Sequence, residues 1–263
     1  MSSQENQKQL KLPNILNSKA QFQFYGELND FLQDCYKNLP IQYNFDGKPS
    51  IKDSIEALGV PHTEVDLILV NKKSVDFDYH LQNGDQVSIY PVFNDVNISN
   101  KVRLRDKPVP RFIVDVNLGK LVKHLRMCSF DAIYSNSYTD HDIAQLAYTE
   151  NRIVLTRDRR LLKQKIITHG YWLRSTDPIK QIYEVISRFN LVSMIKPFNR
   201  CLECNNLITP VNKEEILDQL EPKTIQYFDE FYRCKGCKRI YWKGSHFEQM
   251  SKFLDKIKSS TLN

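Results

Sequence analysis

Four of the six cysteines stand in two C-x-x-C pairs, Cys201/Cys204 and Cys234/Cys237, with 29 residues between them. No other feature limits the fold so tightly. Each pair spans a tight knuckle, and two facing knuckles offer four thiolates to one centre. Such a set reads as a closed tetrahedral Zn²⁺ site. It leaves no open ligand position, so the zinc is structural and residues 199–250 form a ribbon around it. Gly236 is expected to allow the bend of the second knuckle. A redox C-x-x-C fits less well, because two pairs at ribbon spacing are present. Cys35 and Cys128 stand alone.

Ahead of the cysteines, residues 111–198 alternate between apolar runs and helical periods. RFIVDV (111–116), FDAIYS (130–135), RIVLT (152–156) and YWLRS (171–175) have the look of buried strands. LGKLVKHLRM (118–127), DHDIAQLAYTEN (140–151), RRLLKQKI (159–166) and PIKQIYEVISRF (178–189) are expected as helices between and after them. Alternation of this kind predicts a mostly parallel sheet covered by helices on both faces. Ligands of such sheets bind outside the carboxyl ends of the strands. Asp115 closes the first strand, Asp158 follows the third and Asp177 the fourth, while Asp140 and Asp142 open the helix between the second and third. Carboxylates gathered on one edge repel one another unless a cation holds them. Oxygen ligands suit Mg²⁺ or Mn²⁺, which can ionise a water for phosphodiester hydrolysis. Asp115, Asp142, Asp158 and Asp177 are the candidate catalytic and metal-binding set. Asp is also a preferred helix N-cap, which accounts for Asp140 and Asp177 equally well.

Asp158 sits in IVLTRDRRLL, crowded by Arg157, Arg159 and Arg160. The chain's net charge of +6 is unevenly spread: residues 1–97 carry 8 lysines against 13 acids, and residues 98–198 carry 18 basic residues against 9 acids. The basic segment is suited to a polyanion, although a solvated basic face has the same composition. Lys120, Lys123, Arg126, Arg157, Arg159 and Arg200 are candidate phosphate contacts. His246 is a candidate substrate contact that packing beside Trp242 and Phe247 would explain as well. Tyr241 and Trp242 are either base-stacking residues or the ribbon's small core.

Residues 19–95 give a strand at 21–25, a helix capped by Ser50, a strand VDLILV (65–70) and a strand VSIYPVF (87–93), with turn signals between them. Leu81-x-x-Gly84-Asp85-x-Val87, followed by Pro91, resembles the β-grasp (ubiquitin-like) family. Small sulfur carriers of that family end in two glycines. Here Val92-Phe93-Asn94-Asp95 follows, so the resemblance implies no thiocarboxylate chemistry and leaves a protein- or RNA-binding or purely structural role. Residues 1–18 are expected as a polar tail, 96–110 as a linker and 251–263 as a fraying tail.

RFIVDVNLGKLVKHLRM, RIVLTRDRRLL and CKGCKRIYWKGSHFEQM together resemble the PIN-like nucleases with an appended zinc ribbon named for the C-terminal domain of the Mut-seven exonucleases. Members often carry a β-grasp domain in front. The resemblance implies a three-layer α/β/α nuclease domain and metal-dependent ribonuclease activity. Asp115 matches the family's first-strand acid, Asp158 the acid of its L-T-R-D motif, Asp142 a position often Glu, and Asp177 more loosely a further acid. Cys128 stands where the family commonly has glycine. The resemblance implies RNA as partner and leaves room for a protein partner at the β-grasp domain. A non-catalytic RNA-binding adaptor is the other reading, but acids in a basic groove would only weaken RNA binding. No run approaches the ~20 apolar residues of a membrane helix. The polar N-terminus lacks a signal-peptide core, so a cytoplasmic location is expected.

Overall fold

The computed structural model describes residues 18–91, 104 and 108–260. The expected N-terminal tail up to residue 17, most of the linker 96–110, residues 92–95 of the β-grasp span and residues 261–263 lie outside them. The described residues fall into two compact units: 18–60 with 67–91, and 61–66 with 104 and 108–260.

The first unit is a β-grasp. Its strands are β1 (Ser18–Phe24), β2 (Ile41–Phe45), β3 (Val65–Val70), β4 (Lys73–Val75) and β5 (Gln86–Pro91), in the order β2-β1-β5-β3-β4. β1 is parallel to β5 and antiparallel to β2. Helix α1 (Ile51–Ala57) begins at Ser50, whose hydroxyl accepts from the Asp53 N–H as a Ser N-cap should. The helix sends Ile51 and Ile55 into a core with Phe22, Phe24, Ile68, Leu81 and Ile89, all fully buried. The Leu-x-x-Gly-Asp-x-Val stretch is structural. The buried Asp85 carboxylate accepts from Gln82 N–H at 2.8 Å, Tyr79 O–H at 3.0 Å and Asn71 Nδ2 at 3.0 Å, while Gly84 turns the chain at φ +87°. Hence the motif needs an acid and a glycine without any chemistry attached to them.

The second unit is built on β6 (Arg111–Val114), β7 (Asp131–Ile133), β8 (Ile153–Thr156) and β9 (Gly170–Trp172), all parallel, in the order β7-β6-β8-β9. Successive strand residues alternate between faces. Phe112 and Val114 join α2 (Gly119–Met127) and α4 (Pro178–Arg188) in one core layer; Ile113 joins α3 (Asp140–Thr149) in the other. RRLLKQKI is not a helix. Leu161–Lys163 makes a single 3-10 turn. Its adjacent leucines are both buried, and the next apolar pair comes at Ile166 and Ile167, which gives no helical stripe.

The ribbon has an antiparallel sheet β10 (Ile208–Val211), β11 (Phe231–Cys234) and β12 (Ile240–Trp242), with a short helix α5 (Pro222–Tyr227) in the β10–β11 connection. Helix α6 (Ser245–Ser260) follows. Residues 251–260, expected to fray, form its second half. Phe247, Met250, Leu254 and Ile257 recur at helical spacing, and Leu254 and Ile257 are buried in the layer that holds α2 and α4. This stripe is the reason the segment is ordered. Leu254→Ala should cost about 2–5 kcal/mol in a urea unfolding experiment, the usual range for a buried Leu. A fraying tail would give less than about 0.5 kcal/mol.

Candidate active site and metal centre

β6 ends at Val114, and the Asp115 N–H bonds the Leu155 carbonyl of β8 at 3.0 Å. Asp115 then caps a single 3-10 turn, Val116–Leu118, accepting from Asn117 N–H at 3.4 Å. Its side chain is buried. Its Oδ2 accepts from the Thr156 hydroxyl at 2.5 Å. Thr156 is the last residue of β8 and fully buried, and the same Oγ accepts from the Asp158 N–H at 2.8 Å. One hydroxyl therefore links the strand-end acids of two neighbouring strands. The Asp158 carboxylate is exposed, and its Oδ1 accepts from Arg160 N–H at 2.7 Å. Gly119 opens α2 beside this corner because a Cβ there would lie 2.9 Å from the Tyr134 hydroxyl, which itself donates to the Val116 carbonyl.

The expected set does not meet in one place. Asp142 closes a capping box at the start of α3: its Oδ2 accepts from Thr139 N–H at 2.9 Å and Thr139 O–H at 2.8 Å, which holds its carboxyl below the usual range. Asp177 caps α4, accepting from Ile179 N–H at 2.7 Å and Lys180 N–H at 3.4 Å. Asp140 is exposed on the first turn of α3. Among the described residues, the four cysteines are the one group of three or more His, Cys, Asp or Glu side chains whose ligand atoms lie within 4.8 Å of one another.

Of the basic candidates, Arg157 is exposed and its carbonyl accepts from Trp172 Nε1 at 3.1 Å. The Arg159 guanidinium lies 3.9 Å from the Trp172 ring centroid and that of Arg174 5.1 Å, so Trp172 gathers positive charge next to Asp158. Within the same unit the fully buried Glu64 accepts from Trp172 N–H at 2.6 Å and pairs with Arg188 at 3.3 Å and Arg174 at 3.8 Å. Lys120 and Lys123 are exposed, Lys123 being 3.9 Å from Glu203. Arg126 and Arg200 are employed differently from the expectation. Arg126 is buried: its Nε donates to the Ala132 carbonyl at 3.0 Å and its Nη1 to the carbonyls of Leu202 (3.0 Å) and Glu203 (2.6 Å). Arg200 donates to the Asn205 carbonyl at 2.5 Å and the Ser129 carbonyl at 3.4 Å. Both read as fixings of the first cysteine knuckle to the sheet. His246 is exposed on α6.

The cysteine site fits a metal. Cys201 and Cys237 sulfurs are 3.6 Å apart and those of Cys204 and Cys234 3.2 Å. Burial pushes the Cys234 thiol up to about 12. Burial opposes ionisation of Cys204 too, yet N–H groups donated by the knuckle bring it down to about 6. Four thiols this close ionise together only around a cation, and Zn²⁺ is the ion suited to four sulfurs. The two knuckles are alike: the residue after each pair, Asn205 (φ 68°) and Lys238 (φ 62°), takes the left-handed turn. Gly236 has no such turn. A Cβ there would lie 2.5 Å from Nδ2 of the exposed Asn206 side chain, whose amide would have to move from the Cys204 carbonyl that it bonds at 3.3 Å. Tyr241 donates to the Cys201 sulfur at 3.0 Å.

Thr156, Trp172 and Tyr241 are the site residues that sequence reasoning missed or left undecided. The L-T-R-D string pointed at its acid, and the threonine's role lies in a hydrogen bond to a residue 41 positions away.

The Mut7-C RNAse domain family model matches residues 110–254, and the model for the Mut7-C ubiquitin domain matches residues 17–97. Comparison with curated proteins and with solved structures gives no match. Among the described residues no helix is long and apolar enough to cross a membrane.

Arg126→Met should lower stability by about 1–3 kcal/mol, because it strands buried carbonyls. It should leave RNA affinity per folded molecule unchanged in a salt titration. A phosphate contact would instead reduce the salt slope by about one.

Proposed function

The chain belongs to the Mut7-C RNAse domain family, whose model spans more than half of it, and from that premise we propose that it is a metal-dependent ribonuclease hydrolysing RNA phosphodiester bonds at the carboxyl edge of the β6–β9 sheet. The observation that carries this reading is the Thr156 hydroxyl, which holds a buried acid, Asp115, in a fixed orientation beside an exposed one, Asp158. The donors there are all oxygen, which suits Mg²⁺ or Mn²⁺ and not zinc. Asp115 and Asp158 would hold the ion. Asp142 and Asp177 would add their carboxylates by giving up their caps. The ion supplies a water of lowered pKa and charge stabilisation at the phosphate.

The chain's own contribution is positioning. Thr156 fixes one oxygen of Asp115, Oδ2, as outer partners of metal ligands do. Arg157 and Lys123 would hold backbone phosphates, and Arg159, resting on Trp172, would add its charge beside Asp158. Proximity of guanidiniums to the acids also keeps a polyanion from being repelled. The β-grasp unit is left as a recruiting module for a protein partner, and the setting is the cytoplasm.

The test is cleavage of labelled single-stranded and structured RNA in Mn²⁺. Wild-type protein should cut, EDTA should stop it, and Asp158→Asn should reduce the rate by at least about 100-fold, as loss of a charge-stabilising group does. Thr156→Val keeps shape but removes the link, and should weaken Mn²⁺ dependence by about 10–100-fold. Cleavage that survives Asp158→Asn would place the activity elsewhere. Salt-dependent RNA binding without cleavage would make the chain an adaptor.

A further inference from the structure

A groove of about 550 Å³ runs between α2, β12 and α6 of the second unit. Aromatic rings form much of its wall, among them Tyr241, Trp242, Phe247 and Phe253. Trp242 is 36% exposed. Arg239 and His246 stand in the same lining and are exposed, with no side-chain partner among the described residues. No Asp or Glu lines it. In a chain with 31 acids that is a selective surface: apolar rings below, cations at the rim.

His124 adds a second observation. It lies on α2 with its ring 5.2 Å from that of Phe253. Its Nδ1 is shielded and makes no hydrogen bond among the described residues, so His124 joins the groove's wall through the rest of its ring. An unpaired nucleobase has the matching properties: a flat face for stacking and an adjoining phosphate for a cation. A folded protein partner would need complementary acids at the rim alone and gains nothing from a slot of one or two bases in volume.

We propose that the groove between α2, β12 and α6 seats an unpaired base of an RNA strand, with Trp242 and Phe253 as stacking surfaces and Arg239 and His246 on the flanking phosphates. This rests on the reading of the chain as an RNA-acting protein, and it supplies what that reading lacks, a place for the strand away from the acids. It favours single-stranded or flipped-out substrates over continuous duplex.

The test measures binding of a fluorescein-labelled 12-nucleotide single-stranded RNA to the full chain, by anisotropy, in the Asp158→Asn background so that nothing is cut. Adding Trp242→Ala should weaken binding at least about tenfold, the effect of losing one stacked base. Trp242 also packs near Phe228 and Phe231, so Arg239→Ala serves as the variant that leaves the ribbon core intact, and zinc content reports folding of both. Arg239→Ala should weaken binding severalfold and flatten its salt dependence. Parental affinity in both variants would overturn the groove while leaving the ribonuclease standing. A parent chain that binds no RNA would overturn the groove and the RNA reading together. RNA bound through the groove by a wild-type chain that cuts none would remove the nuclease and keep the groove.

Discussion

A buried guanidinium holds the second unit together. Arg126 reaches from the end of α2 to one carbonyl of the edge strand β7 and two of the first cysteine knuckle. Around it, Asn205 of the knuckle accepts from the Ala132 N–H and donates to Asp131. Burial works against ionisation of Asp131, but hydrogen bonds from Arg152 and Asn205 prevail and keep its carboxyl below the usual range. An exposed parallel edge strand is a liability, with unmet N–H and C=O groups. Here the knuckle covers it. The ribbon is therefore no appendage on a finished domain: it completes the sheet's edge, and a metal ion held by the four cysteines would order the cover together with the knuckle.

The opposite consequence of parallel strands appears at the carboxyl ends. All four strands of the sheet open on one side, and the residues just past them must turn quickly into helices or 3-10 turns. Capping by Asp is the ordinary solution, and Asp115, Asp142 and Asp177 all cap. The same residues that start helices are thereby set around one edge. Thr156 distinguishes the Asp115–Asp158 corner from the other caps. It ties two elements through one hydroxyl in a buried setting, where a hydrogen bond is stronger and its loss more costly.

Much of this was legible in the sequence. The apolar runs of β6 and β8 and the periodicity of α2, α3 and α4 marked a parallel α/β sheet, and the cysteine spacing marked the ribbon. Both follow from patterns that a single element satisfies by itself. What escaped reading depends on partners distant in the chain. Arg126 looks like any surface cation of an amphipathic helix until residues 202–203 arrive with their carbonyls. RRLLKQKI has helix-forming residues, and only the burial of two adjacent leucines against the sheet stops it. The left-handed turns of the knuckles fall to Asn205 and Lys238 and not to Gly236, because each comes after its pair closes. The stripe on α6 is present in the sequence, and its apolar residues are diluted by five serines and lysines between Gln249 and Ser260.

That stripe has a consequence for how the chain is made. Leu254 and Ile257 belong to the same core layer as Phe112, Leu121 and Ile182. On the ribosome, the sheet and its first helices emerge well before α6 does, and they wait with part of one face uncovered. At ordinary synthesis rates of about 5–20 residues per second, the roughly 65 residues after α4 take some seconds to follow. The core layer and the groove between α2, β12 and α6 then close in one event, the arrival of α6. A nascent chain that stops short of it leaves the layer that carries β6, α2 and α4 open where Leu254 and Ile257 belong.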